Sequence, residues 1–187
     1  MIYTVGHSTH PLDEFLRILN AHGIAQLVDV RTIPRSRRNP QFARENLPGS
    51  LTTAGIAYRH MPGLGGLRHP QRDSSNTGWR NAGFRGYADY MQTPEFHDNL
   101  ENLIELASSA PTAIMCAEAV PWRCHRSLIA DALVARGIDV QEILTAAKSQ
   151  PHALTSFAKV EGSAITYPGV AESQNLSLGF DAPEALR

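Results

Sequence analysis

The chain has 187 residues, of which 42% are hydrophobic and 19% charged, as expected for one globular domain with a substantial core. It contains no run of about 18 apolar residues, which excludes a membrane-spanning helix, and its N-terminus lacks the pattern of a secretory leader. Its two cysteines, Cys116 and Cys124, are too few for a disulfide framework. These features predict a soluble, cytoplasmic protein.

Basic residues are distributed unevenly along the chain, although the formal net charge is only −1. Two of the 17 basic residues are lysines, and ten arginines lie between Arg31 and Arg85, where Glu45 and Asp73 are the only acids. A planar guanidinium group suits the recognition of phosphate or carboxylate better than an ammonium group does. The clustering therefore indicates an anionic ligand, with a solvated basic surface as the alternative.

The first part of the chain alternates between strands and helices. Residues 2–5 and 25–30 are predicted to be buried strands, and a helix is predicted between Pro11 and Gly23. Short connections between these elements indicate a right-handed βαβ unit and therefore a parallel sheet. The polar, proline-rich residues 32–50 are predicted to form a loop with a short helix near its end.

The remaining elements continue this alternation. In chain order we predict a strand at 56–60, a long arginine-rich loop at 67–83, helical residues from Tyr87 to Leu106 with a break near Pro94, a strand at 112–116, a helix ending at Gly137, and a last regular strand at 139–144. Beyond residue 147 the pattern predicts a weak helix, a short strand at 165–167 and a polar tail.

This order of elements predicts the fold class. We expect one α/β domain over residues 1–170, followed by a weakly ordered tail at 171–187. The predicted sheet is mainly parallel and is covered by helices on both faces, with Rossmann-like or rhodanese-like layering. In such sheets ligands bind beyond the carboxyl ends of the strands. His7, Asp29, Arg31 and His60 are predicted to lie there.

The segment from Cys116 to Arg126 is also predicted to lie at that edge, and it holds many reactive side chains. Within eleven residues it contains two thiols, a carboxylate, an imidazole, two guanidinium groups and an indole. One interpretation is an anion site formed by Arg123, Arg126 and the N-terminus of the following helix. A second is a nucleophilic thiol, for which Cys124 is the better candidate because the helix begins beside it.

Two further interpretations of this segment remain open. The donor types of Cys116, Glu118, Cys124 and His125 suit a zinc or iron ion, although their spacing matches no standard zinc finger. A metal ion is therefore the one cofactor that the sequence suggests. Alternatively, the cysteines are small core residues without a chemical role.

The candidate residues can be assigned two kinds of role. Cys124, His125, Glu118, His7 and Cys116 are the candidates for chemistry, since they could transfer protons or act as nucleophiles. The predicted ligand-binding residues are Arg31, Arg35, Arg37, Arg38, Arg123, Arg126, Asp29, Tyr58, Gly65 and Gly66. In this set the arginines supply positive charge, the tyrosine a surface for stacking, and the glycines a close approach of the backbone to a ligand.

Several of these motifs together resemble a known family. They are Thr4-Val5-Gly6-His7-Ser8, Asp29-Val30-Arg31 with Pro34 and Ser36, Pro40 and Phe42, Tyr58, Leu64-Gly65-Gly66, Gly86-Tyr87-Ala88-Asp89-Tyr90-Met91, Cys116-Ala117-Glu118 and Cys124-His125-Arg126, with a looser echo at His152 and Tyr167-Pro168. The set resembles the domain-of-unknown-function 488 family over about residues 2–145. The resemblance implies an intracellular α/β domain but no activity.

A more distant similarity is to the rhodanese domain, in which a cysteine after a strand carries persulfide sulfur. Asp29 and Arg31 at one strand end and Cys116 at another are similar to that arrangement. Glu118 departs from it, since its charge opposes a nearby thiolate or anion. Pro121 also removes a backbone donor.

The leading hypothesis is that the protein binds a phosphate-bearing ligand, either a small molecule such as a nucleotide or a nucleic acid, at the strand ends. No interaction with a membrane is expected. The alternatives are a rhodanese-like sulfur carrier or other cysteine-dependent enzyme, a zinc or iron enzyme, and an interaction module without chemistry.

Overall fold

The computed structural model describes residues 1–169, so the predicted tail at 171–187 lies outside the described residues. The strands are β1 (Ile2–Gly6), β2 (Gln26–Asp29), β3 (Ala57–His60), β4 (Thr112–Cys116), β5 (Val140–Thr145), β6 (Lys148–Pro151), β7 (Lys159–Glu161) and β8 (Ala164–Thr166). The helices are α1 (Leu12–Ala21), α2 (Leu47–Thr53), α3 (Ala82–Tyr90), α4 (Pro94–Ser108) and α5 (Arg126–Val134).

Six of the strands form one sheet in the order β3-β2-β4-β1-β5-β6. The first five are parallel, and β6 pairs antiparallel with β5. The prediction of a mainly parallel α/β sheet is thus confirmed. In this sheet β4 lies between β2 and β1. In the dinucleotide-binding fold, whose strand order is 3-2-1-4-5-6, strands 1 and 2 are instead direct neighbours.

Each face of the sheet packs against its own group of helices. Leu27 and Ala113 belong to a hydrophobic core with α1 and α2, whereas the next residues, Val28 and Ile114, belong to a core with α3, α4 and α5. Successive side chains of a strand point to opposite faces, so the two cores lie on opposite sides of the sheet. This confirms the prediction that helices cover both faces.

The helix ends follow from local chemistry. The chain has left-handed φ angles of 64° at Gly23 and 75° at Gly137, which a glycine adopts without steric cost after a helix. Pro94 occupies the first turn of α4, and the Thr93 hydroxyl accepts a hydrogen bond from the Phe96 amide. The predicted break near Pro94 is therefore the boundary between two helices. None of the helices in residues 1–169 is long and apolar enough to cross a membrane.

The region after β5 differs from the prediction. Residues 147–169 form β6 and a two-stranded ribbon of β7 and β8, with no helix in this described part. Thus the expected weak helix is wrong, while the predicted strand at 165–167 overlaps β8. The side chains of β6 are mostly exposed and polar, so its sequence lacks the alternation that identifies a strand. Backbone pairing with β5 holds it at the edge of the sheet.

The long loop at 67–81 is fixed by a buried carboxylate. Asp89, in α3, accepts hydrogen bonds from the Gln71 amide at 2.8 Å, the Ser74 hydroxyl and the Asn76 side-chain amide at 2.8 Å. The Asn76 side-chain oxygen accepts a hydrogen bond from the Tyr167 amide at 2.9 Å. These bonds hold the loop against α3, beside the carboxyl ends of the strands.

Candidate functional site

The carboxyl ends of β1 and β4 lie side by side, because Gly6 pairs with Cys116. After β1 the chain runs to α1 on one face of the sheet, and after β4 it runs to α5 on the other. Diverging connections of this kind leave a crevice in which α/β proteins bind ligands. A cavity of about 730 Å³ opens here, and its volume lies within the range of small-molecule sites.

Most of the predicted site residues line this cavity. They are His7, Arg31, Arg35, Arg38, Gly66, Cys116, Glu118, Arg123 and His125. Glu118 is the only carboxylate among the lining residues in the described part of the chain. The cavity is therefore rich in positive charge, and three of its four arginines come from the cluster between Arg31 and Arg85.

The other predicted residues lie around the cavity. Arg37 is exposed on the surface and does not contribute to the lining that residues 1–169 form. Tyr58 and Asp29 lie beneath Arg31, and Arg126 is buried below the β4–α5 connection. Gly65 packs its backbone against Thr32, where a Cβ atom would collide with the threonine.

Arg31 is held rigidly at the base of the cavity. Its guanidinium donates two hydrogen bonds to Asp29, at 2.9 and 2.6 Å, and one to the Phe42 carbonyl at 2.8 Å. Its Nη1 atom donates a fourth hydrogen bond to His7 Nε2 at 3.1 Å. A guanidinium has five N–H groups, so these bonds leave one N–H on Nη1 for a ligand.

Asp29 supports this arrangement from below. Its carboxylate is fully buried and also accepts a hydrogen bond from the Tyr58 hydroxyl at 2.8 Å. Burial and the neighbouring carboxylate raise the pKa of Tyr58, so its hydroxyl keeps the proton that it donates. Asp29 and Tyr58 thus position Arg31 rather than contact a ligand.

His7 is fixed in its neutral form. Its Nδ1 donates to the Ser8 carbonyl at 2.9 Å, its Nε2 accepts from Arg31, and its ring stacks on Phe42 at 4.2 Å. Burial and the nearby Arg31 guanidinium lower the pKa of His7 to about 4, despite the hydrogen bond to Ser8. The imidazole therefore stays uncharged at neutral pH and orients Arg31.

The two cysteines meet beside His125. The chain after β4 makes a short 3-10 turn at Pro121–Arg123, which brings Cys124 back to the end of the strand. The Cys116 and Cys124 sulfurs and a ring nitrogen of His125 all lie within 4.8 Å of one another. Both thiols are buried, with 8% of Cys116 and 3% of Cys124 exposed. Glu118 is exposed and lies outside this group.

The two thiols differ in acidity. The hydrogen bond between them lowers the pKa of Cys124 and raises that of Cys116, because Cys116 donates its S–H to the partner sulfur. The positive charge of Arg126 also favours the Cys124 thiolate. The site is therefore built to hold negative charge on Cys124.

Arg126 is a buried cation at the start of α5, with 1% of its surface exposed. It donates hydrogen bonds to the Glu118 carbonyl at 2.6 Å and to the Thr4 hydroxyl at 3.3 Å, while its Nε atom has no partner in residues 1–169. No carboxylate of these residues forms a salt bridge with it. Glu142 attracts this charge only from beyond salt-bridge distance. A buried charge without a direct counterion is costly, so this position favours an anion nearby.

The backbone at Gly66, just before the 67–81 loop, packs closely against His125. A Cβ atom at this position would lie 2.5 Å from His125 Nδ1. We expect Gly66→Ala to displace the imidazole and to lower the free energy of unfolding by about 1–3 kcal/mol, as overpacking does. Denaturant unfolding with fluorescence detection measures this change.

Gly49, in α2, is the matched control for that variant. A Cβ atom there meets nothing within 4 Å, so Gly49→Ala should raise the free energy of unfolding by about 0.5–1 kcal/mol, because alanine favours a helix. Equal effects of the two variants would contradict the close packing of Gly66 on His125.

Sequence reasoning missed several residues of the cavity. Ser8, Thr9, Ser36 and Asn39 contribute polar groups to its wall. Ser8 and Ser36 belong to the family motifs but were not predicted as site residues, and Thr9 and Asn39 are adjacent to predicted residues or motifs. Ser8 has a left-handed φ of 47°, a conformation that costs a non-glycine residue about 1–2 kcal/mol. Strained backbone of this kind is concentrated at functional sites.

A second buried polar network lies away from the cavity. Asp131, in α5, is fully buried and accepts hydrogen bonds from His152 at 2.9 Å, from the Thr155 hydroxyl at 2.7 Å and from the Tyr167 hydroxyl at 2.8 Å. His152 also donates to Glu142 at 2.8 Å. This network joins the segment after β6 to α5 and the sheet, and it involves none of the cavity residues.

The fold and the site define a layered α/β protein with an arginine-lined cavity at the carboxyl ends of its parallel strands. The model of the family described as "Domain of unknown function DUF488" matches residues 11–133, more than half of the chain, so the chain belongs to this family. The resemblance predicted from the motifs is thus confirmed. No curated protein and no solved structure matches the chain significantly.

Proposed function

We propose that the protein binds a nucleotide or a similar small phosphate ester in the cavity at the ends of β1 and β4. The observation that carries this proposal is the charge of the lining: four arginines, namely Arg31, Arg35, Arg38 and Arg123, accompany a single carboxylate, Glu118, among the described residues. Guanidinium groups form strong, often bidentate hydrogen bonds with phosphate. The volume of the cavity, about 730 Å³, suits a ligand of this size.

The arginines contribute in two ways. Arg31 is fixed by Asp29, so its free N–H group needs no reordering when a phosphate binds. Arg35, Arg38 and Arg123 are exposed, and they can close around a ligand from the rim. Hydroxyl groups of nearby serine and threonine residues add further donors to the same wall.

Two apolar side chains at the cavity could contact the nucleoside part of a nucleotide. Ile33 is 60% exposed and Leu67 is 71% exposed, and both line the cavity. Large exposed apolar residues beside a polar cleft often contact a ligand. In the proposed complex they pack against the nucleoside, while the arginines hold the phosphates.

The test is fluorescence anisotropy with a fluorescent ADP analogue at low and physiological salt. We expect micromolar binding that weakens with salt, since the contacts are ionic. Arg35→Ala combined with Arg38→Ala should weaken binding at least about tenfold, because each charged hydrogen bond contributes about 1.5–3 kcal/mol.

The control for this experiment is Arg37→Ala, which removes the same charge from an exposed residue outside the cavity lining. It should change the affinity less than about twofold, since screening weakens the attraction of a surface charge. The single variant Arg38→Ala is the direct comparison, since it also removes one charge. If Arg37→Ala weakens binding as much as Arg38→Ala does, the arginines act as a general basic surface and the cavity proposal is wrong.

Competition with an unlabelled oligonucleotide, single- or double-stranded, distinguishes a nucleotide ligand from a nucleic acid. The proposal predicts that unlabelled ADP displaces the fluorescent ADP analogue more strongly than the oligonucleotide does at equal phosphate concentration. A nucleic-acid ligand would reverse this order and show a steep dependence of affinity on salt.

A further inference from the structure

Three potential metal ligands meet at the base of the cavity. The sulfurs of Cys116 and Cys124 and a ring nitrogen of His125 all lie within 4.8 Å of one another. The Cys124 sulfur is 3.7 Å from His125 Nδ1. Tetrahedral zinc, with a Zn–S distance of about 2.3 Å and a Zn–N distance of about 2.0–2.1 Å, separates such a pair by about 3.6 Å.

His125 is prepared for a metal by its other nitrogen. Nε2 donates a hydrogen bond to the Val30 carbonyl at 3.1 Å, which leaves Nδ1 unprotonated in the neutral ring and facing the Cys124 sulfur. Histidines that bind metals usually donate their second ring N–H to a carbonyl or carboxylate in this way. The orientation of the ring is fixed further by the backbone of Gly66.

We propose that Cys116, Cys124 and His125 bind one zinc ion whose fourth position is open to water or to the ligand in the cavity. Two sulfurs and one nitrogen suit zinc among the common divalent ions. Three protein ligands with an open position are the pattern of reactive zinc sites, whereas structural sites use four protein ligands.

Access to the open position is provided by two cavities. All three ligands line a smaller cavity of about 180 Å³, and Cys116 and His125 also line the main one. Zinc therefore lies where it can contact a molecule held by the arginines. There it can polarise a phosphate oxygen or lower the pKa of a bound water.

The charge balance of the surroundings agrees with this geometry. Two thiolates neutralise a zinc ion, so the buried charge of Arg126 remains for an anion in the fourth position. In residues 1–169 no carboxylate forms a salt bridge with Arg126. A disulfide between the cysteines would instead leave both His125 Nδ1 and Arg126 without an anionic or metal partner.

The test uses full-length, reduced protein purified without a metal-affinity tag, and the probes are Zn²⁺ and Co²⁺ alone. We expect one Zn²⁺ per chain in competition with a chelating dye. With Co²⁺, the wild-type protein should show a thiolate-to-cobalt charge-transfer band and the intense visible bands of tetrahedral coordination. Cobalt spectra of wild-type protein lacking the thiolate band would overturn the proposal, whether or not the variants fold.

Variants identify the ligands. Cys124→Ser and His125→Gln should each weaken Zn²⁺ binding more than about 100-fold, because each removes one of three ligands. His69→Gln is the control and should retain wild-type affinity, since this exposed histidine lies outside the group and outside both cavities. Glu118→Gln removes the nearby carboxylate that the ligand set excludes, and if it loses zinc as completely as Cys124→Ser, the proposed ligand set is wrong. The result is independent of ADP binding, so either proposal can fail alone.

Discussion

Asp29→Ala is expected to lower the free energy of unfolding by about 3–5 kcal/mol, because it leaves the Arg31 guanidinium buried without its counterion. Asp29 is fully buried and Arg31 is only 6% exposed, so water compensates little for the lost carboxylate. The same change frees the Tyr58 hydroxyl and the Arg31 amide from their hydrogen bonds. Chemical denaturation at neutral pH measures the loss.

A double variant separates the ion pair from simple packing. Asp29→Ala combined with Arg31→Met removes both charges, so it should be less destabilised than the sum of the two single variants. Glu45→Ala, at an exposed carboxylate, should change the stability by less than about 0.5 kcal/mol. Additive effects of Asp29→Ala and Arg31→Met would contradict a coupled, buried pair.

The second large effect expected is a loss of stability between neutral and alkaline pH, caused by His152. Burial opposes its charge, but hydrogen bonds to Asp131 and Glu142 outweigh burial and raise the pKa of His152 from 6.5 to about 9. The protonated His152 therefore contributes fully to the free energy of unfolding below pH 6.5, its pKa in the unfolded chain. This contribution is lost as the pH rises through 9, and the loss is up to about 3 kcal/mol.

His152→Gln tests that assignment, because glutamine keeps a hydrogen-bonding group but cannot carry the charge. The variant should be less stable than the wild type at pH 6, and this difference should shrink towards pH 9. His69→Gln, at an exposed histidine, should preserve the wild-type dependence on pH. A His152→Gln profile parallel to the wild-type profile would show that another group titrates.

The sequence predicted the central strands and the edge at which the site lies. β1, β2 and β4 are buried almost throughout, and they are recognisable because a strand covered on both faces shows no alternation of apolar and polar residues. Polar residues lie at the ends of these strands or within two positions of them. Their convergence could be predicted because parallel strands place their carboxyl ends at one edge of the sheet.

Other features had no local signal. The position of β4 between β1 and β2 depends on pairing with residues 110 and 86 positions earlier in the chain. β6 is held by backbone pairing with β5 and by the hydrogen bond from the Gln150 side chain to Glu142. The approach of Cys124 to Cys116 depends on the turn at Pro121–Arg123. Similarly, the Asp131–His152 network joins residues that are 21 positions apart, and no spacing rule connects them.

The division of roles among the predicted site residues also required the structure. Arg31 and Arg37 carry the same charge in the same segment, yet only Arg31 is buried and lines the cavity. In the sequence they differ in that Arg31 directly follows a predicted strand and comes two residues after Asp29, whereas Arg37 lies in the predicted loop. His7 likewise differs from an exposed histidine only through its contacts with Arg31 and Phe42.

The most direct test of the proposed cavity is an NMR titration of isotope-labelled protein with ADP, following backbone amide shifts. The proposal predicts that the largest, saturable changes occur in residues 7–9, 31–39 and 117–125, which contain most of the residues lining the cavity. Residues of the Asp131–His152 network should remain unchanged. Absence of shifts in these three segments at millimolar ADP, or shifts confined to exposed basic residues outside the cavity such as Arg72 and Arg80, would contradict the account.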